Sequence, residues 1–459
     1  MASSSETNQN TSEGLGFHYS LSVTHPVVVR GKGNYLFTKN GNKIFDACTG
    51  AAVSCLGYGN KRVIKAINKQ LKTGTPYISS SFWSSQVVNN LCNELLQGTD
   101  GKMEGVYLTG SGSEATEAAI KLSRQYFCEL DQRTRVNFIA RERSYHGNTI
   151  AALSLSEFAA RKELYTPLLL DNIHHVSSCY QYRQQNNGES DMEFVTRKVK
   201  ELEAKFQELG PETVIGFIAE PVVGAALGCV PSPPGYLKAM KEVCHKHGAL
   251  FILDEIMCGM GRTGTLHAWQ AEDVIPDIQT IGKGFGAGYQ PISALLISKK
   301  VTNVLMKGSK EFVHGFTFQA MPVQAAAALK VQKIVREDKL IKNVSKRGAL
   351  LEQLLKTALD NHPHVGDIRG RGLFWGIEFV KNKQTKEPFD HEMKVAYGIK
   401  ELAISNFNIA VYPSTGCYDG VKGDVIILAP TYIVTKKDVN HIATTIEAVV
   451  NTYFSSFDR

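Results

Sequence analysis

Little in this sequence ties the protein to an oxidising compartment, a membrane or a nucleic acid. Its nine cysteines are an odd number and none stands in a C-x-x-C pair. Neither a disulfide frame nor a paired-thiolate zinc site is therefore expected, no metal site is read elsewhere, and the thiols are read as reduced. Nowhere do about 18 apolar residues follow one another, the length that would suggest a spanning helix. The 51 basic and 44 acidic residues are scattered, with no long Lys/Arg block, so the net charge of +7 reads as solvated surface. The start, MASSSETNQNTSEG, carries Glu6 and Glu13 but no Arg and no apolar core, so it fits neither a secretory signal nor a transit peptide. Residues 1–22 are expected to form a disordered tail and the protein to be cytoplasmic.

What is present is an ordinary globular composition, 43% apolar and 21% charged, in a chain of 459 residues that exceeds one typical core. From His25 to Gly59 the pattern is of short strands, VVVR, NYLF and KIFDA. The last two are joined by a turn in which Asn40-Gly41 predicts a type I′ hairpin. Helical periodicity follows in KRVIKAINKQL. Between Cys92 and Val301 apolar runs alternate with helical segments: VYLT, NFIA, TVIGFIAE, ALFILDE, DIQTIG and SALLIS. Runs that are apolar throughout are strands buried on both faces, so a largely parallel sheet covered by helices is expected, with ligands beyond its carboxyl ends. One long helical pattern from Val323 to about Leu359 leads into a last segment. It holds the strands LFWGIEFV and VIILAP, a helix near Met393–Asn406, and a closing helix capped by Thr435. Residues 181–190 read as an exposed loop. The expected division is 23–59 joining a small domain, 60–335 as the large domain and 336–459 as the rest of the small one.

Three places carry chemistry. The turn Thr109-Gly110-Ser111-Gly112-Ser113-Glu114 precedes a helix with the apolar face Ala115, Ala118, Ala119 and Leu122. Free N–H groups there attract a phosphate, although a plain strand-to-helix turn would read the same. Asp254 closes an apolar strand, where a carboxylate is costly unless a cation, an arginine or backbone donors meet it. Lys283 lies among Gly282, Gly284, Gly286 and Gly288, and desolvation there would turn it toward a nucleophilic amine. A Rossmann reading of Gly259-Met260-Gly261-Arg262-Thr263-Gly264 fails because five residues separate it from the strand and no helix pattern opens on it. A Walker reading of Lys283 fails for want of the following Ser/Thr. Tyr145 offers an aromatic plate at a strand exit, and His146 reads as a hydrogen-bonded imidazole.

Taken in order, Ser111-Gly112-Ser113-Glu114-Ala115, Tyr145-His146-Gly147, Glu220-Pro221, Asp254-Glu255, Lys283-Gly284 and Phe316-Thr317-Phe318 resemble the motifs of class III pyridoxal-phosphate aminotransferases over nearly the whole chain. The resemblance implies an α/β PLP-dependent transferase fold of type I, with a mostly parallel seven-stranded sheet in the large domain and a smaller α+β domain. It implies the cofactor pyridoxal 5′-phosphate, with Lys283 as the Schiff-base lysine and Asp254 at the ring nitrogen. Ile256 and Tyr145 would lie on the two ring faces, Ser111, Gly112 and Ser113 at the phosphate, and His146 and Glu220 nearby. Thr317 would reach the neighbouring subunit's phosphate in a homodimer with shared active sites. The implied activity is transfer of an amino group from an amine or amino acid to a keto acid, although the same fold serves racemases, decarboxylases and lyases and could serve as a non-catalytic scaffold, against which the presence of both Lys283 and Asp254 counts. Expected pocket walls are Ala52, Val53, Phe82 and Trp83. Asn148 stands where acetylornithine-type members carry Arg, and the stretch 419–424 offers only Lys422 for a substrate carboxylate. Glu220 is left open between receiving an amino group, holding an arginine aside, and making a structural ion pair.

Overall fold

A computed structural model describes residues 25–455 and 457, so the expected N-terminal tail lies outside the described residues. Strands β1 (Val28–Lys32), β2 (Tyr35–Thr38) and β3 (Lys43–Asp46) form an antiparallel meander. The β2–β3 connection differs from a two-residue type I′ turn. The Gly41 N–H donates to the Thr38 carbonyl at 3.0 Å, and Gly41 takes φ 86° while Asn40 keeps a negative φ. One left-handed residue after a turn satisfies the hairpin, so the second positive φ is not needed.

The large sheet is built from β4 (Gly105–Thr109), β5 (Asn137–Arg141), β6 (Ile173–Val176) and β7 (Val214–Ala219). A two-residue ribbon follows, β8 (Val222–Val223) with β9 (Val230–Pro231), and then come β10 (Leu250–Asp254), β11 (Ile278–Ile281) and β12 (Ser293–Ile297). The order across the sheet is β4-β12-β11-β10-β7-β5-β6. All pairings are parallel except those of β12, which runs against both neighbours. Strands β7, β10, β11 and β12 are buried at every position, which is why β7, most of β10 and Ala294–Ile297 of β12 read as apolar runs, while β11 buries the polar Gln279 and Thr280. The seventh strand, β6, has the sequence Ile-His-His-Val and sits at the sheet edge, half-buried; its polar residues hid it from an apolarity pattern.

The remainder is built on β13 (Val365–Gly370), β14 (Trp375–Phe379), β15 (Ile409–Ala410), β16 (Tyr412–Thr415) and β17 (Asp424–Leu428). Four of these form an antiparallel sheet in the order β13-β14-β17-β16, while β15 adds in parallel to β3 and so joins the N-terminal meander to this part of the chain. The helical pattern expected from Val323 to Leu359 is two helices, Pro322–Glu337 and Leu340–Leu359. Lys339 between them adopts φ 53°, which ends one helix and redirects the next. The closing helix Lys436–Phe454 starts on a reciprocal cap between Thr435 and Asp438, as its sequence suggests. Residues 181–190 are not loop throughout, since Gln181–Gln184 forms a helical turn.

Candidate active site

The central strand β10 ends in Asp254. Its four preceding residues, Leu250 to Leu253, are at most 1% exposed and contribute about 1.5–3 kcal/mol each, which offsets the cost of carrying a carboxylate inward. Asp254 is itself 3% exposed, and among the described residues its ion-pair partner is His146 rather than an arginine. Its Oδ1 accepts the Ile256 N–H at 3.0 Å and the Thr280 hydroxyl at 3.1 Å. Thr280 is directly opposite on β11, the strand register having placed it there. Oδ2 lies 2.8 Å from His146 Nδ1. His146 is buried and its Nε2 has no partner, so the tautomer with hydrogen on Nδ1 leaves no buried N–H unsatisfied, and Nδ1 donates to Asp254. A carboxylate offers about four acceptor positions. Three are filled, and one on Oδ2 remains for a donor in the cavity.

Strand β11 delivers Lys283 two residues after its end, through Gly282. Lys283 has φ 45°, a left-handed conformation that costs a non-glycine residue about 1 kcal/mol or more. The strained turn directs the amine into a site where burial pushes its pKa down, opposed by the charges of Asp254 and Glu220. The third element is the helix Gly112–Glu129. The Ser111 hydroxyl accepts the Glu114 N–H at 3.2 Å, and the Glu114 carboxylate accepts the Gly110 N–H at 2.7 Å. The N–H groups of Gly112 and Ser113 stand in the first turn without intrahelical acceptors. A Cβ added to Gly112 would lie 3.0 Å from Ile256 Cδ1, so the helix start is packed directly over that side chain. Ser113 Oγ accepts the Asn148 N–H at 2.9 Å, which leaves its hydroxyl hydrogen for another acceptor.

These groups meet in one cavity of about 220 Å³. Of the expected site residues it is lined by Ser111, Gly112, Ser113, Tyr145, His146, Glu220, Asp254, Ile256 and Lys283. Gly147, Ala225 and Met257 also line it and were not foreseen, nor was Thr280 behind Asp254. Glu220 is 5% exposed and makes no ion pair within its carboxylate's reach; Oε1 accepts the Tyr145 N–H at 3.1 Å and Oε2 the Gly224 N–H at 2.8 Å. The buried Arg141 guanidinium donates to the Glu220 carbonyl instead. Burial raises the pKa of Glu220, with the His146 side opposing and Asp254 reinforcing.

The other expected residues lie elsewhere. Ala52 is buried at φ 63° in the apolar cluster that also holds Met257 and Val222, and Val53 is half-buried beside Gly288; neither lines the cavity. Phe82 and Trp83 are 79% and 70% exposed on this single chain, and Thr317 is also exposed. Lys422 pairs with Asp390 at 3.0 Å on the surface, so the anchor considered for a substrate carboxylate is held away from the cavity by an acid of its own. The glycine-rich stretch 259–264 is structural. Arg262 is buried and donates to the carbonyls of Leu373, Pro430 and Ala52.

A carboxylate at the end of a central strand, a lysine two residues beyond its neighbour and a long helix start on the same cavity define an α/β transferase of fold type I. The chain matches the family model described as Aminotransferase class-III over residues 19–450. An aminotransferase of Gibberella zeae is 49% identical over 92% of this chain and 83% of its own, and an uncharacterized aminotransferase of Schizosaccharomyces pombe is 43% identical over 98% and 97%. The omega transaminase of Pseudomonas jessenii, solved in complex with PMP, superposes with a TM-score of 0.87 at 31% identity, covering 94% of this chain and 93% of that one. The chain belongs to the class III aminotransferases, a pyridoxal-phosphate-dependent family, and is a transaminase.

Proposed function

We propose that this chain binds pyridoxal 5′-phosphate and moves an amino group from an amine or amino acid to a keto acid of the pyruvate or 2-oxoglutarate type, in the two half-reactions of a ping-pong cycle. The observation that carries the reading is the meeting of Lys283, Asp254 and the Gly112–Ser113 helix start in one cavity. The donor set fits the cofactor. The free N–H groups and Ser113 hydroxyl suit a phosphate, the one open acceptor on Asp254 suits a protonated ring nitrogen, and Lys283 Nζ suits the aldehyde carbon. Ile256 and Tyr145 would hold the ring between them. When bound, the cofactor supplies the electron sink that lets nitrogen leave the donor and pass to the acceptor.

The protein's part is positioning and proton handling. His146 keeps one Asp254 oxygen occupied, which fixes the direction of the other lone pairs. Burial lowers the Lys283 pKa, so a larger share of the amine is unprotonated near neutral pH and able to take and return a proton at Nζ. We further assign a homodimer in which Thr317 completes the partner's phosphate site, a cytoplasmic location, and a large domain over 60–335 packed on a small one over 23–59 and 336–459. All nine cysteines are free, which supports a reducing compartment, and among the described residues no helix is long and apolar enough to cross a membrane. The test is a donor and acceptor panel followed by visible absorbance. Amino donors are expected to bleach the cofactor-loaded protein, keto acids to restore it, and Lys283→Ala to abolish the exchange. A protein that stays colourless with added cofactor refutes the reading.

A further inference from the structure

A second cavity, of about 400 Å³, shares no lining residue with the amino-transfer cavity. It is closed by the last turn of the helix Gln86–Gln97, by the segment around Leu266, and by the break between the helices Pro322–Glu337 and Leu340–Leu359. The volume is that of a small-molecule site, and the break falls where the proposed large and small domains meet, a common place for one. The residues expected at the dimer contact are distant. The helices Gln86–Gln97 and Pro322–Glu337 begin just after Trp83 and Phe318, and run roughly 14 Å and 20 Å before they reach the cavity at Leu95 and Val335.

The floor of this cavity is apolar. Leu95, Met260 and Val335 are at most 2% exposed, and Leu266 and Ile341 are half-buried. The rim is basic, made by Arg336, Lys339 and Lys342. Glu94 is the acid of the lining, and Arg336 is paired with it. The two acids that follow Arg336, Glu337 and Asp338, are turned to Arg62. Among the described residues Lys339 and Lys342 therefore meet no carboxylate. An apolar floor gains by excluding water, and ammonium groups without counterions attract an anion. A bare anion would leave the floor unused, and a wholly apolar molecule would leave the lysines unused.

We propose that this cavity is a second binding site, for an amphipathic anion: a single anionic head on an unbranched aliphatic chain of medium length. The chain lies on Leu95, Met260 and Leu266, and the head at Lys339 and Lys342. Binding there does not require the amino-transfer reading.

The test is calorimetric titration of the cofactor-loaded protein with octanoate, octyl phosphate, hexanoate, acetate and octanol. Octanoate and octyl phosphate carry one chain on two heads, so the tighter of them identifies the head that the lysines prefer. Burial of the two extra methylenes makes octanoate about tenfold tighter than hexanoate, and acetate too weak to detect. Octanol, which lacks the charge, is about tenfold weaker than the preferred anion. In the double variant Lys339→Gln/Lys342→Gln the preferred anion falls toward the affinity of octanol while octanol itself is unchanged, which shows that the floor is intact. Leu266→Trp fills the floor and weakens both; if its thermal midpoint shows that it is not folded, the lysine variant decides the matter alone. Lys283→Ala keeps the binding, so failure of amino transfer and failure of this site are read separately. The inference is overturned if neither anion binds, if chain length brings no gain, or if the double lysine variant keeps full affinity. Loss of binding in Lys283→Ala places the anion in the other cavity and overturns it as well.

Discussion

Replacing Gly112 by Ala tests the phosphate cradle without removing any functional group. Gly112 does not require a left-handed backbone, and alanine is the better helix former by up to about 1 kcal/mol in a helix interior, less in a first turn. Against this, the new methyl would sit 3.0 Å from Ile256 Cδ1 and 3.1 Å from Cγ2, closer than packed carbons tolerate. Overpacking of this kind costs about 1–3 kcal/mol, so the folded protein is expected to lose roughly 0–2 kcal/mol. Ile256 must move, and it lines the cavity between the helix start and Gly282, whose own added Cβ would meet Ile256 Cγ2 at 3.2 Å. Blocked on that side, Ile256 shifts toward the ring position. Cofactor affinity, measured by titrating the cofactor-free protein with pyridoxal phosphate, is therefore expected to fall about tenfold to a hundredfold, well beyond the loss in stability. Ile256→Val removes Cδ1 and leaves Cγ2, so the double variant is expected to recover part of the affinity, with a favourable coupling of about 0.5–1 kcal/mol. Wild-type affinity in Gly112→Ala, or no coupling with Ile256→Val, refutes close packing of the helix start, Ile256 and cofactor.

Three further outcomes are expected. Glu255 is fully buried with its oxygens on the Ala268 and Trp269 N–H groups, and burial pushes its pKa up from 4.5 to about 7. The folded state then holds the proton more tightly than the unfolded one, so a contribution fully present below about pH 4.5 is lost as pH rises to 7. Denaturant titrations at several pH values should show the gap between wild type and Glu255→Gln changing by up to about 3 kcal/mol over that window and flat above it; a gap independent of pH contradicts this. Arg262→Lys cannot reproduce the guanidinium's bonds to Leu373 and Pro430 or its stacking 4.7 Å above Tyr432, and should lose about 2–4 kcal/mol in chemical denaturation. Phe82, Trp83 and Phe318 are 79%, 70% and 60% exposed on one chain, large apolar rings that a dimer would cover; sedimentation should show a dimer that Trp83→Ser weakens, and a wild-type monomer refutes it.

Much of this was legible because burial on both faces leaves a plain mark. The run Leu250–Leu253 announced the central strand, and an acid at its end could only be tolerated with partners. The Ser/Gly turn before Ala115 announced the helix start for the same kind of local reason. Pairwise partners were not legible. Nothing in the sequence tied His146 to Asp254, 108 positions apart, or set Thr280 opposite Asp254; parallel strand register places Thr280, and the segment after β5 brings His146 to the carboxylate. The edge strand β6 escaped because half-buried positions tolerate histidine, and the break at Lys339 because a left-handed lysine leaves no compositional trace. The ion pair of Lys422 was not legible either, because its partner, Asp390, lies 32 positions away.

The proposed chemistry turns on one amine. Loading the protein with pyridoxal phosphate, reducing it with borohydride and mapping the peptides locates the covalent attachment directly. The expected result is a single labelled peptide carrying the cofactor on Lys283, lost in Lys283→Ala and in the presence of an amino donor during loading. Label on another lysine, or none in a folded protein, contradicts the assignment of this cavity as the site of amino transfer.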